Sequence, residues 1–318
     1  MKKIILTCIL AAFTYCFAAD KIACEGSRPL KVLAIGNSFT LSLHNNKHFM
    51  EAIKAANANI VYAVMYIGGC PLERHWKNIE LFSKDPTAAP YLIRSNDEKL
   101  NSKSNIPQML AKDDWNIITI QQASHFSFKP ETYEPYMTLL INYFKEKCPK
   151  AEIVIQQTWS YCDLFNRAQQ VGAGTPKEMY TKLCGAYLAA AKKHRIRIIP
   201  TGVAVEKARE ALNMNFGPLS KEDSEKYVYP NLPKSTIECG EVVGNISWRK
   251  GKDGVFKIGG DPIHLNYDGE YLQSFTWLKF LAPEIDIVNV NYVPKKIPAE
   301  KARILRQAAA DAVNQGLK

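Results

Sequence analysis

Three side chains of types that support nucleophilic catalysis stand out in this sequence, one near its start and two near its end. Ser38 lies in KVLAIGNSFT (Lys31 to Thr40), where an apolar run stops at a Gly-Asn-Ser turn. Such a turn is typical of a buried strand that is followed by a helix. GDPIHLNYDG (Gly260 to Gly269) then supplies a carboxylate at Asp261 and an imidazole at His264. Because a hydroxyl is a weak nucleophile unless a base activates it, this combination predicts a serine esterase.

Apolar strand-like runs alternate with helix-like segments, which predicts βαβ units and a parallel sheet. The predicted strands are Val32 to Ile35, Ile60 to Tyr66, Ile117 to Gln121, Ile153 to Gln157 and Ile196 to Pro200. The predicted helices are Lys47 to Ala56, Tyr133 to Glu146, Lys177 to His194, Val203 to Leu212 and, last in the chain, Gly269 to Leu281. The expected fold is a three-layer α/β/α sandwich around a flavodoxin-like parallel sheet of about five strands.

Two stretches interrupt the alternation of strands and helices. Ser83 to Asn105 has little periodicity and is predicted as a loop or short helix. Residues 213–260 are rich in proline and glycine and are predicted as an insertion over the mouth of the active site, with a small hairpin around Asn245 to Lys257. A surface embellishment without a function is the alternative for this insertion.

The first 19 residues have the features of a secretory signal peptide. Two lysines precede the apolar run Ile4 to Phe17, and the small residues Ala18 and Ala19 follow it. The run is too short to span a bilayer, which takes about 20 residues. We therefore expect a secreted or periplasmic protein with no membrane span, in which residues 20–318 form a single domain.

The cysteines and the net charge of the sequence indicate which disulfides are possible and which binding partners are expected. Six cysteines follow the predicted signal peptide, and in an exported chain they could form up to three disulfides whose pairing the sequence leaves open: Cys24, Cys70, Cys148, Cys162, Cys184 and Cys239. The net charge of +10 is spread along the chain without a long basic run. This charge indicates a solvated surface, and we expect no nucleic-acid partner.

Four motifs in register along the chain carry a family resemblance. They are IGNSFT (Ile35 to Thr40), IGGCPLERHW (Ile67 to Trp76), QQAS (Gln121 to Ser124) and DPIHLN (Asp261 to Asn266). The set resembles the SGNH/GDSL hydrolase superfamily and, more closely, its bacterial branch of unassigned function. The resemblance covers nearly all of the chain after the signal peptide, and it implies the SGNH hydrolase fold.

The resemblance also implies a role for each catalytic candidate. Ser38 would be the nucleophile, His264 its base, and Asp261 the carboxylate that orients the imidazole. Taken alone, Ser38 could instead be a helix cap and His264 a structural histidine at a helix start. The family pattern places oxyanion donors at the Ser38 backbone N–H and at Gly69. It implies no metal and no other cofactor.

The third oxyanion donor is where the sequence departs from the superfamily. Standard members use the asparagine of a GxND motif, whereas the third predicted strand ends here in QQAS, which has no asparagine. A glutamine amide can also donate a hydrogen bond. Gln122 is the predicted donor, and Gln121 and Ser124 are the alternatives.

Polar and aromatic residues near the predicted strand ends are candidates for substrate contact. These are Asn37, His75, Trp76 and Trp159, although a tryptophan is also a common core residue. His44 and His48 are four residues apart and could bind a metal, but the sequence favours a solvated helix face for them.

These observations together predict an exported serine ester hydrolase that acts on a small acylated substrate. The expected substrate is an acylated carbohydrate, most simply an acetyl ester, by analogy with carbohydrate acetylesterases of the same superfamily. Two alternatives stay open. One is a non-catalytic glycan-binding or surface protein on the same scaffold, and the other is an acyltransferase that uses the same triad.

Overall fold

The computed structural model describes residues 28–317. Its strands are β1 (Leu30–Gly36), β2 (Ile60–Tyr66), β3 (Tyr91–Ser95), β4 (Lys103–Ser104), β5 (Ile117–Ile120), β6 (Glu152–Gln156), β7 (Arg197–Ile199), β8 (Val243–Lys250) and β9 (Phe256–Leu265). Its α-helices are α1 (Ser38–Leu41), α2 (His48–Ala55), α3 (Leu72–Lys84), α4 (Ile106–Leu110), α5 (Tyr136–Lys147), α6 (Arg167–Gln170), α7 (Pro176–His194), α8 (Thr201–Ala211), α9 (Lys221–Ser224), α10 (Tyr267–Leu281) and α11 (Ala299–Gln315).

A seven-stranded sheet in the order β4-β3-β2-β1-β5-β6-β7 forms the centre of the molecule. The five strands from β2 to β7 in this order are parallel, whereas β3 and β4 are antiparallel to their neighbours. β1 is almost wholly buried because helices cover both faces of the sheet, which explains its unbroken apolar run. The predicted α/β class is confirmed, and all five predicted strands belong to this sheet.

Two predictions about secondary structure are wrong. Ser83 to Asn105 is neither a loop nor a short helix throughout, because it contains β3 and the edge strand β4. β3 alternates buried and half-buried residues, the period-2 pattern of a strand with one face more covered than the other. Gly269 to Leu281 is not the last helix either, since α11 follows it and packs on α8 and α10, with Leu305 and Ala309 fully buried.

The predicted hairpin in the insertion is present, but it is longer than expected. β8 pairs with β9 in antiparallel register from Lys250↔Phe256 to Val243↔Leu265. β9 continues past the end of the predicted insertion and carries both Asp261 and His264. The insertion and the catalytic candidates therefore share one strand.

Residues 28–317 include five of the six cysteines, and none of these five forms a disulfide. Cys24 and the predicted signal peptide lie outside the described residues. Within the described part of the chain, no helix is both long and apolar enough to cross a membrane.

Candidate active site

Ser38 occupies the first position of helix α1, directly after the end of β1. The side chain of Asn37 caps this helix by accepting a hydrogen bond from the Phe39 N–H at 3.0 Å. The turn needs a glycine before it, because a Cβ at Gly36 would lie 2.0 Å from Thr40 Oγ1. The local sequence therefore places the Ser38 hydroxyl at the carboxyl edge of the sheet.

Ser38, His264 and Asp261 form a continuous hydrogen-bonded chain. Ser38 Oγ lies 2.8 Å from His264 Nε2, and His264 Nδ1 lies 2.6 Å from Asp261 Oδ2. The second carboxylate oxygen, Oδ1, accepts from the backbone N–H groups of Ile263 at 2.9 Å and His264 at 3.1 Å. Both Asp261 oxygens are thus engaged, which fixes the carboxylate relative to the imidazole.

The hydrogen bonds to Asp261 also set its protonation state. Burial by itself would raise the pKa of this carboxyl, but the hydrogen bonds from the His264 ring and the Ile263 N–H outweigh burial. They lower the pKa of Asp261 to about 2. The carboxylate is therefore ionised at neutral pH, as a residue that stabilises an imidazolium must be.

Trp159 packs behind the triad, through Phe39, and does not face a substrate. Its ring is fully buried and stacks on Phe39 at a centroid distance of 4.0 Å, and the edge of Phe39 faces the His264 ring at 5.5 Å. The indole N–H donates to the carbonyl oxygen of Ile263 at 2.9 Å. The predicted role of Trp159 in substrate contact is wrong, because no face of the ring reaches solvent.

Asn37 joins three strand ends and is likewise not free for a substrate. Its Oδ1 accepts from Gln121 Nε2 at 2.6 Å, and its Nδ2 donates to the carbonyl oxygen of Cys70 at 3.1 Å. Its exposed fraction is 2%. Asn37 therefore clamps the ends of β1, β2 and β5 together, and its assignment to substrate binding needs correction.

The two glutamines of QQAS have different surroundings. Gln122 donates from Nε2 to the carbonyl and hydroxyl oxygens of Thr132, at 2.9 and 3.2 Å, and its Oε1 accepts from the Leu72 N–H at 3.1 Å. In this conformation Gln122 has no free N–H for an oxyanion, contrary to the predicted role. Gln121 is the glutamine that contacts Asn37, the neighbour of Ser38.

Ser124, the other alternative donor, has a hydroxyl that accepts a hydrogen bond from the Tyr161 hydroxyl at 2.8 Å. Gly69 lies in the exposed turn after β2 with φ of +62°, a conformation that suits glycine. The space around Gly69 is open, since a Cβ there would meet nothing within 4 Å. The role of Gly69 as a donor stays a prediction.

His75 and Trp76, which follow the glycine turn, belong to helix α3. His75 is 1% exposed, and its Nδ1 lies 2.8 Å from the Tyr91 hydroxyl. Burial lowers the pKa of His75 to about 3. Trp76 donates to Glu80 at 2.8 Å and packs edge-on against Tyr143 of α5. His75 is therefore a core residue and Trp76 a residue of the α3–α5 contact, and the substrate roles predicted for them are not supported.

His44 and His48 contact different partners and do not share a solvated face. His48 is fully buried, with its Nδ1 2.8 Å from the Tyr292 hydroxyl, and burial lowers its pKa to about 4. His44 Nδ1 lies 3.1 Å from the Tyr62 hydroxyl. The expectation of a solvated face is wrong for His48, which packs among tyrosines.

A buried ionic network behind the site had no signal in the sequence. Arg209 of α8 donates from Nε to both Glu241 oxygens, at 2.9 and 3.1 Å, and from Nη1 to Ser160 Oγ. The Glu241 carbonyl in turn accepts from Asn266 Nδ2 at 2.8 Å. Arg209 and Glu241 are 32 residues apart and in no recognisable motif. Together they connect Ser160, in the segment after β6, to Asn266. Asn266 caps α10 and lies two positions after His264.

Comparison with solved structures places the fold. A DUF4886 family protein from Bacteroides uniformis is 26% identical, with a TM-score of 0.69 over 91% of this chain and 96% of that chain. A member of the lipolytic protein G-D-S-L family from Veillonella parvula is 13% identical, with a TM-score of 0.42 over 80% of this chain and 99% of that chain. The first likeness supports the α/β fold described above, whereas the second, with a TM-score below 0.5, carries no argument.

No protein of curated function matches the chain. The family model of DUF4886, described as a domain of unknown function, matches residues 31–217. The matched segment includes Ser38, Gly69 and both glutamines of QQAS, and it ends before Asp261 and His264. Since it covers more than half of the sequence, the chain belongs to the DUF4886 family.

Proposed function

We propose that this protein is a serine ester hydrolase in which Ser38 is the nucleophile, His264 the general base and Asp261 the orienting carboxylate. The observation that carries this proposal is the chain of hydrogen bonds of 2.8 and 2.6 Å that joins residues 226 positions apart in the sequence. A structural serine has no need of an imidazole that is itself held by an ionised carboxylate. This arrangement is the one that activates a hydroxyl for acyl transfer.

The reaction follows from this geometry. Ser38 Oγ attacks the ester carbonyl while His264 Nε2 takes its proton, and Asp261 stabilises the resulting imidazolium. The tetrahedral intermediate collapses when His264 returns the proton to the leaving alcohol, which leaves an acyl group on Ser38. A water molecule, deprotonated by the same imidazole, then attacks the acyl group and releases the carboxylic acid and free Ser38.

The negative charge that develops on the carbonyl oxygen needs hydrogen-bond donors. The proposed donors are the Ser38 N–H at the start of α1 and the Gly69 N–H in the open turn after β2. Gln121 is the third candidate, because its amide hydrogen-bonds to the residue before the nucleophile.

The proposed substrate is an acetylated or similarly acylated carbohydrate. The exposed fractions of the His264 and Asp261 side chains are 34% and 30%, so the triad lies near the surface, where a bulky alcohol such as a sugar can reach it. The predicted signal peptide supports export to a compartment where polysaccharide is found. Export is tested by sequencing the N-terminus of protein recovered from the periplasm or medium, where processing after Ala19 is expected.

The catalytic proposal is tested with p-nitrophenyl acetate and with acetylated oligosaccharides. Wild-type protein should release acetate from both, and Ser38→Ala should reduce kcat by about 10³-fold or more. Ser42→Ala is the matched control, since Ser42 ends the same short helix and its hydroxyl donates to the Ser38 carbonyl, at 3.1 Å. Equal rates for wild type and Ser38→Ala would exclude Ser38 as the nucleophile. Transfer of acetate to an added sugar in preference to water would identify an acyltransferase.

A further inference from the structure

A cavity of about 470 Å³ lies in the insertion, between helix α9 and the β8–β9 hairpin. Its lining combines aromatic rings with charged side chains. The residues that matter here are Phe165, Tyr227, Trp248, Phe256, Lys221 and Glu225. This volume lies within the range of small-molecule sites in proteins, about 300–1,000 Å³.

The rim of the cavity exposes aromatic surface to solvent. Tyr227 and Phe256 are each 37% exposed, and Tyr229 is 52% exposed. Tyr229 stacks on Phe256 with a centroid distance of 4.1 Å and an interplanar angle of 16°. An ordered cluster of exposed rings is costly in water unless a ligand or partner covers it.

Two further features of the lining are unfavourable without a ligand. The indole N–H of Trp248 is shielded from solvent and has no hydrogen-bond partner within residues 28–317. Phe165 adopts a left-handed conformation with φ of +56°, followed by Asn166 with φ of +52°. Such conformations cost roughly 1–3 kcal/mol for non-glycine residues and tend to occur at functional sites.

The cavity is joined to the catalytic residues by a single strand. Phe256 and Ile258, which line the cavity, and Asp261 and His264 all belong to β9. At about 3.3 Å per residue, Ile258 is ~10 Å from Asp261 and ~20 Å from His264 along the strand. The cavity therefore lies along the same strand as the proposed base and its carboxylate.

We propose that this cavity is a subsite for the sugar chain of the substrate, separate from the position of the ester, an inference that rests on the proposed function. Sugar rings present flat C–H faces that stack on aromatic side chains, and their hydroxyls hydrogen-bond to charged groups such as Lys221 and Glu225. A fatty acyl chain would leave these charges without partners. Lys221 and Lys257 against Glu225 leave the lining with a net charge of only +1 (two cations minus one anion), so a neutral sugar chain is the expected ligand.

Binding is measured apart from catalysis, by titration calorimetry on Ser38→Ala with neutral β-linked hexasaccharides from cellulose, xylan, mannan and chitin. At least one should bind, and adding Phe256→Ala or Tyr227→Ala should weaken its binding about 5- to 10-fold. Leu81→Ala is the matched control, because Leu81 is also an exposed apolar residue, 44% exposed, but lies on α3. Circular dichroism establishes that each variant is folded.

Kinetics provide the second measurement. The substrate is the acetylated form of whichever hexasaccharide binds. For this substrate, Phe256→Ala should raise KM about 5- to 10-fold and leave kcat unchanged. Hydrolysis of p-nitrophenyl acetate by the same variant should be as fast as in wild type. Sugar binding without any ester hydrolysis would contradict the proposed function but support the proposed subsite. Ester hydrolysis without binding of any of the four hexasaccharides would overturn the subsite, as would binding that both cavity variants leave unchanged. Dimerisation that Phe256→Ala abolishes, without sugar binding, would assign the rings to a contact between copies.

Discussion

The indole N–H of Trp159 donates a 2.9 Å hydrogen bond to the carbonyl oxygen of Ile263, the residue before His264. This bond ties β9 to the segment that follows β6, and the Trp159 ring supports Phe39, which contacts the His264 ring edge-on. The position of the proposed base is therefore held by a buried residue that no substrate touches.

Trp159→Phe tests this positioning role, since phenylalanine keeps most of the ring volume and removes the N–H. We expect kcat for p-nitrophenyl acetate to fall about 10-fold with little change in KM, because the imidazole is less well oriented. Trp115→Phe is the control, since Trp115 is also buried and donates to a backbone carbonyl, that of Met109, at 2.8 Å. Equal losses of activity in the two variants would indicate a general effect on stability.

Asp261→Asn should lower kcat by about 10³- to 10⁴-fold while the protein stays folded. An amide cannot stabilise the imidazolium, and it can hold the ring in the wrong tautomer. Because the pKa of Asp261 is lowered to about 2, kcat should show no loss from protonation of this group above about pH 4. Asp163→Asn, at another half-buried carboxylate that is not part of the triad, should keep wild-type activity. A pH–rate profile of each variant provides the measurement.

Gln121 and Gln122 should have separable effects. Gln121→Leu removes the amide beside Asn37, and kcat should fall about 10- to 100-fold because the donors around the oxyanion are lost or misplaced. Gln122→Leu removes buried hydrogen bonds to Thr132 and Leu72, which should lower the free energy of unfolding by about 2–3 kcal/mol. Its kcat, measured well below its melting temperature, should stay close to that of wild type. The reverse pattern would restore Gln122 as the third donor.

The buried His75 should make stability depend on pH. Its pKa is about 3 in the folded protein and 6.5 in an exposed histidine, so between these values the unfolded state binds more protons. Stability then falls as pH drops below about 6.5, by about 2 kcal/mol at pH 5 for this residue. His75→Gln should weaken the dependence of unfolding free energy on pH between pH 8 and 5. His48, whose pKa is lowered to about 4, should account for part of what remains. An unchanged dependence would show that His75 takes up its proton in the folded state.

The Arg209–Glu241 pair should be essential for folding stability. Arg209→Met leaves Glu241, whose side chain is 2% exposed, as a buried charge without its main partner, and should cost about 3–5 kcal/mol. Arg303→Met breaks an exposed ion pair with Glu300 and should leave the unfolding free energy unchanged within error. Urea denaturation of both variants makes the comparison. A small effect at Arg209 would mean that water solvates the Glu241 carboxylate in the variant.

Local patterns in the sequence were sufficient for the strand cores, for the class of fold and for Ser38, Asp261 and His264 as candidates. A buried parallel strand such as β1 needs a continuous apolar run, and the Gly-Asn-Ser turn after it needs small and capping residues. Both constraints act within a few residues. They are therefore visible in the chain before it folds.

Contacts between distant segments were decided by the tertiary structure alone. Gln121 and Gln122 are neighbours of the same type, yet Gln121 contacts Asn37 and Gln122 contacts Thr132, because successive residues point to different sides of an extended chain. His75 and Trp159 are residue types common in sugar sites, but both are buried here, His75 beside Tyr91 and Trp159 against Phe39. Burial and hydrogen-bond partners depend on what the rest of the chain places beside a residue, and no local pattern contains that information.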